Sequence, residues 1–242
     1  MRIVATLAGM ASLFLAAPAL AADVIYTFNT TGNSSVNGGY GNAFNFTSGS
    51  LTMKVTGWQA NLSNNDITKA YVGAYGTGLG VTGLGDSSGG SYYHQIDNVN
   101  GYVDFVMLEF DRAVSLTGVS LYSYTMGYSS SKDNDLAYYN AGALNSNLTL
   151  YDNVPSVWTE VGGTGGNGYV PIGATGVSTK WLVGAALISD RDDGFKIASI
   201  KVTELVGAVP EPATWAMMLL GFAGVGGALR VRRRKAEAIT AH

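Results

Sequence analysis

Short apolar runs separated by glycine-rich turns fill the middle of the chain, and no stretch of about 12 residues between Asp23 and Gly207 has the spacing of an amphipathic helix. The runs are rich in β-branched and aromatic residues, which is typical of strands. The predicted strands are Val24–Phe28, Leu51–Trp58, Lys69–Tyr75, Val103–Phe110, Thr117–Tyr124, Leu136–Tyr139, Asn147–Tyr151, Val157–Val161, Trp181–Ser189 and Phe195–Leu205. This pattern predicts a single all-β domain over residues 22–207, a jelly-roll-like β-sandwich with Gly/Ser/Asn-rich loops.

Two of the predicted strands have distinct apolar patterns. Leu51, Met53 and Val55 alternate with polar residues, which predicts one face in the core and one in water. Val103–Phe110 is apolar at nearly every position, as in a central strand that is covered on both faces.

The last predicted strand changes the phase of its apolar residues. Phe195 and Ile197 occupy odd positions, whereas Ile200 and Val202 occupy even positions. A regular strand would turn one of these pairs toward water, because its side chains alternate between the two faces. We therefore expect a β-bulge near Ala198–Ser199 that returns both pairs to the core.

Two segments, from Asn29 to Asn45 and from Gly76 to Ser91, are nearly uncharged and rich in glycine and small polar residues. They are predicted to be long surface loops. The second contains Gly78-x-Gly80-x-x-Gly83, the spacing of a dinucleotide-binding turn, but a glycine- and serine-rich stretch follows it. Because that motif needs a helix N-terminus to hold the pyrophosphate, we do not expect a nucleotide site here.

The N-terminus has the layout of a secretory signal peptide over residues 1–21. Arg2 precedes an uncharged apolar run from Ile3 to Ala17, and Ala19 and Ala21 stand three and one residues before the predicted cut. The alternative is an uncleaved anchor, although the run is short for a membrane span. The protein is therefore predicted to be exported.

The C-terminus combines a proline motif, an apolar run and a basic cluster. Pro210, Glu211 and Pro212 are followed by Trp215 and Ala216, and the two prolines are expected to keep their stretch out of helix and sheet. The next segment, up to Leu229, carries no charge and predicts a transmembrane helix at the lower length limit. The basic residues that would hold the tail in the cytoplasm are Arg230, Arg232, Arg233, Arg234 and Lys235.

This order of motif, apolar segment and basic end resembles the PEP-CTERM sorting signal, in its PEPxxWA form. The resemblance covers residues 208–242 and implies an exported protein of a Gram-negative bacterium. It implies a partner, exosortase, a membrane transpeptidase that cuts near Pro210–Pro212 and releases the protein to the cell surface or the exopolysaccharide matrix. The alternative on the same physical grounds is an ordinary single-pass tail anchor.

The middle of the chain also resembles the bodies of a group of exosortase-dependent surface proteins. The similarity spans about residues 70 to 200. Its motifs are Gly78–Thr82, His94–Asn98, Val106–Phe110, Asp133–Asp135 and Asp193–Ile197. No molecular activity follows from this resemblance, because these proteins are described by their sorting.

Composition excludes several classes of function. The chain has no cysteine and only two histidines, His94 and His242, which excludes thiolate and multi-histidine metal sites. Of the 14 basic and 17 acidic residues, about 8 and about 15 lie in the predicted body, which therefore carries roughly −7. This charge argues against a nucleic-acid partner.

Acid-rich turns offer oxygen ligands for a metal ion. The candidate ligands are Asp97, Asn98, Asp133, Asp135, Asp192 and Asp193. Carboxylate and amide oxygens are the ligands that Ca²⁺ prefers, and glycine-rich loops expose further carbonyl oxygens. Two alternatives stay open. Either a structural Ca²⁺ bridges the loops, or these aspartates are solvated turn residues that bind no ion. No other cofactor is predicted.

These observations predict a non-catalytic structural or interaction protein, and two alternatives stay open. A carbohydrate-binding module would use aromatic faces near loops, with Trp58, Tyr92, Tyr93 and Trp158 as candidates. A hydrolase would use His94 or a pair of carboxylates. For His94 we expect a hydrogen bond to Asp97 or Asn98 instead of a catalytic role.

Overall fold

The structure, a computed structural model, describes residues 22–33, 39–64, 66–84, 86, 94–126, 131–144, 158–163, 165–173, 176–186, 192–206 and 212–239. In the last range, side chains are described for residues 216–230, 232 and 233. Several predictions fall outside these ranges: the signal-peptide residues Ala19 and Ala21, the motif residues Pro210 and Glu211, the aromatic residues Tyr92 and Tyr93, and the strand Asn147–Tyr151.

Strands dominate the described residues, which confirms the β-rich fold class. The strands are β1 (Val24–Asn29), β2 (Ala43–Ser48), β3 (Leu51–Asn61), β4 (Ile67–Tyr75), β5 (Gly78–Thr82), β6 (Ile96–Asp97), β7 (Tyr102–Ser123), β8 (Leu136–Asn140), β9 (Thr159–Val161), β10 (Gly168–Pro171), β11 (Ser178–Ala185) and β12 (Gly194–Glu204). One helix, α1 (Pro212–Ile239), follows them. By its internal contacts the chain divides into two units, and residues 23–205 form the unit that contains every described strand.

Hydrogen bonds join all the described strands into one network. Its main path runs β1-β12-β5-β4-β3-β7-β11-β8-β9, while β2 pairs with β3, β6 with β12, and β10 with β7. Because β12 also pairs with β7, strands β3, β4, β5, β12 and β7 form a closed circuit of neighbours. The jelly-roll sandwich predicted from the sequence is not confirmed by this connectivity and stays a prediction.

Strand β7 joins two segments that the sequence predicted as separate strands. It runs without a break through 22 residues, because Val114 and Leu116 continue the apolar alternation and are fully buried. Its first half pairs with β3 and β11, and its second half pairs with β12 and β10. The expected turn between Phe110 and Thr117 is therefore wrong.

The predicted loop from Gly76 to Ser91 contains a buried strand. Every residue of β5 is buried, and the strand pairs with β4 and β12. The cause is its glycines: a Cβ on Gly80 would collide with the carbonyl oxygen of His94, and Gly78 has a φ of +125°, which side chains other than hydrogen disfavour. The first predicted loop is also shorter than expected, since β2 begins at Ala43.

The predicted strand patterns of β3 and β7 are confirmed by two hydrophobic cores. Leu51, Met53 and Val55 of β3 face the main core. The apolar run of β7 divides between the two faces, because Val106 and Leu108 join the main core and alternate residues join a second one. That second core contains Trp58, Ala60, Ile67, Phe105, Met107, Ala141 and Leu182.

The predicted bulge in β12 is also confirmed. The register with β7 shifts between Ile197 and Ser199. Ala198 is therefore an extra residue of β12 that has no partner residue on β7. As a result Phe195, Ile197, Ile200 and Val202 all reach the main core. The phase change in the sequence is therefore the signature of the bulge.

Helix α1 begins at Pro212, within the stretch that the prolines were expected to keep out of helix. Proline is tolerated in the first turn, where its missing N–H would have no partner within the helix, so this expectation is wrong for Pro212. Among the residues that the structure describes, no helix has the length and apolar character that a membrane crossing requires. The predicted transmembrane helix is not shown.

Candidate functional site

Among the residues that the structure describes, six aspartates of the body gather into two groups of three. We call Asp133, Asp135 and Asp193 the turn cluster, and Asp86, Asp97 and Asp104 the core cluster. Within each cluster, one carboxylate oxygen from each residue lies within 4.8 Å of the others. Each cluster has the donor atoms that a hard divalent cation takes.

The turn cluster holds three of the predicted calcium ligands and contacts a fourth, Asn98. A parallel bridge joins Asp133 to Asp193. Asn98 Nδ2 donates to Asp193 Oδ2 over 2.7 Å, and the Asp193 N–H donates back to Asn98 Oδ1 over 3.1 Å. Asp192 is described but belongs to neither cluster.

Backbone N–H groups occupy much of the acceptor capacity of the turn cluster. Asp193 Oδ1 accepts from the N–H of Asp135 over 2.7 Å, and Asp133 Oδ1 accepts from the N–H of Asn134 over 2.7 Å. The Gly163 N–H donates to Asp135 Oδ1. Because hydrogen bonds stabilise a carboxylate without any cation, these contacts explain why the turn cluster holds together.

The core cluster is assembled from three different segments. Asp104 lies on β7 and, by strand alternation, shares a face with Val106, a main-core residue. Asp97 is the last residue of β6. Asp86 lies between β5 and β6, and its Oδ2 accepts a hydrogen bond from the Gly83 N–H over 2.6 Å. The sequence therefore folds a carboxylate of a central strand into the interior beside two others.

Two carboxylates of the core cluster each keep an oxygen atom without a hydrogen-bond partner. Asp104 Oδ1 accepts from Gln59 Nε2 over 3.1 Å, and Asp97 Oδ1 accepts from the Val99 N–H over 3.3 Å. The second oxygen of each carboxylate is buried and accepts no hydrogen bond. Asp97 is 2% exposed and Asp104 is 1% exposed, so both side chains are shielded from bulk solvent.

The electrostatics of the core cluster oppose ionisation. Burial raises the pKa of Asp104 and of Asp97, and the neighbouring carboxylates of the cluster add to both shifts. Burial also raises the pKa of Asp86 to about 6. No carboxylate of the core cluster takes part in the ion pairs seen among the described residues, such as Lys54 with Glu109 and Arg112 with Asp111 and Glu204. A buried carboxylate without a compensating charge is strongly destabilised.

The sequence analysis grouped Asp97 with residues of the turn cluster, and it did not identify Asp86 and Asp104 as candidate ligands. A signal for Asp104 was present, because it is the one acid near the start of the apolar run Val103–Phe110. A strand covered on both faces leaves such a carboxylate no access to water, so a partner group has to be found for it. Asp86 had no such signal, since it lies in a glycine-rich segment.

His94 does not have the hydrogen bond that was predicted for it. Its Nδ1 bonds with Thr82 Oγ1 over 2.7 Å instead of with Asp97 or Asn98, and its ring packs 5.0 Å from that of Tyr75. Burial, and secondarily the charge of Lys196, lowers the pKa of His94 to about 4. The imidazole is therefore neutral at pH 7.

The tryptophans proposed as sugar-stacking faces pack into the protein. Trp58 is 2% exposed, belongs to the second core and donates its indole N–H to Thr56 Oγ1 over 2.9 Å. Trp158 is half-buried and meets Phe105 edge-on, with the ring centres 5.6 Å apart. Trp58 offers a ligand no open aromatic face, and its predicted role in the carbohydrate-binding alternative is wrong.

Helix α1 forms most of the sorting segment, residues 208–242, and the described side chains of this helix are exposed. Ala216 is exposed, as are Arg230, Arg232 and Arg233 at the basic end. The large apolar side chains of the helix are 47–69% exposed. They are Met217, Met218, Leu219, Leu220, Phe222, Val225 and Leu229.

Residues 208–234 match the PEP-CTERM protein-sorting motif. The chain therefore carries this sorting signal at its C-terminus, as the sequence predicted. No curated protein and no solved structure matches the chain.

Proposed function

We propose that the chain is an exported protein whose C-terminal segment is the substrate of an exosortase-type membrane transpeptidase. In this proposal the signal peptide ends at Ala21, and the sorting segment is removed near Pro210–Pro212. The β-rich body then remains at the cell surface or in the exopolysaccharide matrix. Its role there is structural or based on interaction, and the chemistry belongs to the sorting enzyme.

The observation that carries the proposal is the match of residues 208–234 to the sorting motif. Helix α1 supports the proposal, since apolar side chains are exposed along it from Met217 to Leu229. Exposed apolar surface is unfavourable in water by about 25 cal/mol per Å², and a large patch of it indicates a lipid or protein contact. A membrane enzyme that captures this helix supplies both.

The basic end of the helix supports the orientation. Arg230, Arg232 and Arg233 follow the apolar side chains directly and point into solvent. Basic residues next to an apolar segment resist translocation. In the proposal this holds the tail on the cytoplasmic side while the motif is presented to the enzyme on the other side.

The test is the processing of a motif variant in the native cells. Glu211→Ala combined with Pro212→Ala removes the motif, while alanine at residue 212 still favours the helix. Glu237→Ala, which changes an acid of the same tail beyond the matched residues, is the matched control. We expect the double variant to accumulate in the membrane fraction as a precursor that keeps the whole sorting segment, and the control to be cut normally. Normal release of the double variant would overturn the proposal.

A further inference from the structure

The two unpartnered oxygens of the core cluster call for a partner of positive charge. Asp97 and Asp104 are almost fully buried, and each has one oxygen without a donor. Asp86 brings a third carboxylate to the same place. Native proteins satisfy nearly all buried polar atoms, so two unpartnered oxygens within one cluster of carboxylates are an exception that requires an explanation.

Two partners can remove the repulsion between these carboxylates, namely protons or a cation. Protonation would neutralise the acids, but it would leave three acidic side chains to be buried where apolar residues would serve better. A divalent cation would neutralise two of the three charges, and the unpartnered oxygens would bind it directly as ligands. The convergence of three carboxylates from separate segments favours the cation.

We propose that Asp86, Asp97 and Asp104 form a calcium site in the interior of the β-rich body. The three ligands come from the segment after β5, from the end of β6 and from β7, so a bound ion would tie these segments together. Backbone carbonyls and water would complete its shell. The site is distinct from the turn cluster, where calcium was expected from the sequence.

The chemistry and number of the donor atoms favour calcium over other cations. All three ligands are oxygens, which suit hard cations. Ca²⁺ binds oxygens at about 2.3–2.6 Å, so two ligands on opposite sides of the ion lie up to about 5 Å apart, and the oxygens of the core cluster lie within 4.8 Å of each other. Mg²⁺ demands near-ideal octahedral geometry, usually keeps several waters and takes only one or two carboxylates from the protein, whereas three carboxylates converge here.

The turn cluster lacks the feature that indicates an ion in the core cluster, namely a buried carboxylate oxygen without a hydrogen-bond partner. Both oxygens of Asp193 accept hydrogen bonds, and this is the buried carboxylate of that cluster. Its stability is therefore explained by the Asn98 amide and the backbone. The two clusters make opposite predictions for calcium removal, and this supplies the control.

The experiment is thermal unfolding of the full chain in EDTA and in CaCl₂, with calorimetric titration of CaCl₂ into the EDTA-treated and desalted protein. We expect binding of one ion and, at a calcium concentration about 100 times the Kd, a rise of the unfolding midpoint of about 5–10 °C. Asp104→Asn should abolish this rise and should be no less stable than the wild type in EDTA, since it removes a buried like charge. Asp133→Asn, the matched control in the turn cluster, should keep the rise.

Asp86→Asn serves as a second variant of the core cluster, because Asp86 is only half-buried and its loss leaves the core packing intact. It should also abolish the rise, whether or not Asp104→Asn folds. Equal midpoints in EDTA and CaCl₂, with no heat of binding, would overturn the proposal. So would a rise that survives Asp86→Asn and disappears in Asp133→Asn, or a larger rise with MgCl₂ than with CaCl₂ at equal concentration.

Discussion

One carboxylate oxygen of Asp97 lies within 4.8 Å of one of Asp104 in the interior of the body, and each residue keeps an oxygen that accepts no hydrogen bond. The next residue in the chain, Asn98, reaches the other acidic cluster and bonds with Asp193. Asp97 ends β6, and consecutive side chains of an extended segment point in opposite directions. This alternation separates two neighbours that sequence proximity had placed in one site.

The Asn98–Asp193 pair is expected to stabilise the fold without calcium. Asn98→Ala removes both hydrogen bonds with Asp193 and one with the Ala186 carbonyl, and it leaves a buried carboxylate short of a donor. We expect a loss of about 2–4 kcal/mol in the free energy of unfolding, the same in EDTA and in CaCl₂, measured by urea denaturation. Asn64→Ala, which breaks two exposed hydrogen bonds with Asp66, should change the free energy of unfolding by less than about 0.5 kcal/mol. A loss confined to calcium buffer would contradict this assignment.

His94 is expected to make the fold less stable in mild acid. Its pKa is lowered from 6.5 to about 4, so between these values the unfolded chain binds a proton that the folded chain does not, and the free energy of unfolding falls as pH falls. His94→Asn removes this contribution to the pH dependence of stability, and asparagine tolerates the local φ of +71°. Relative to this variant, the wild type should lose stability from about pH 6.5 to about pH 4 and then level off. A relative gain over that range would instead indicate a histidine paired with a carboxylate.

Gly80 is expected to be required for packing. A Cβ at this position would collide with the backbone carbonyl of His94, which cannot move without breaking the contact between β5 and its surroundings. Gly80→Ala should therefore lower the free energy of unfolding by about 2–3 kcal/mol. Gly39→Ala, where nothing lies within 4 Å of the added Cβ, is the matched control and should be close to neutral. Equal stability of the two variants would show that β5 is not packed as described.

Trp58 is expected to act through the core and not through a sugar ligand. Trp58→Ala should lower the free energy of unfolding by about 3–5 kcal/mol, because the side chain is 2% exposed and packs in the second core. Tyr40→Ala, at a residue that is 53% exposed, should have little effect on stability. If Trp58→Ala left stability unchanged and removed binding to exopolysaccharide, the carbohydrate-binding alternative would regain one of its four candidate residues.

The features that the sequence predicted correctly depend on local periodicity. The alternation at Leu51, Met53 and Val55 and the phase change around Ala198 are visible in single segments, because a strand has a fixed period of two. The sorting motif is likewise a local signal, because it is confined to the contiguous residues 208–234. These features do not require knowledge of which segments meet.

The missed features depend on which segments meet. Gly80 looks like a loop residue until the His94 carbonyl is placed against it, and Asp104 looks like an isolated acid until Asp86 and Asp97 arrive from other segments. Contacts of this kind join residues far apart in the chain, and neither composition nor spacing encodes them. For the same reason, only three of the predicted calcium ligands, Asp133, Asp135 and Asp193, lie in one cluster, whereas Asp97 lies in the core cluster and Asp192 in neither.

The central claim is that the sorting segment is removed from the finished protein, and the most direct measurement is the intact mass of the protein isolated from native cells with an active sorting enzyme. The account predicts a polypeptide that ends near Pro210–Pro212 and lacks every residue of the basic cluster from Arg230 to Lys235. A mature protein whose mass still includes that cluster would contradict it.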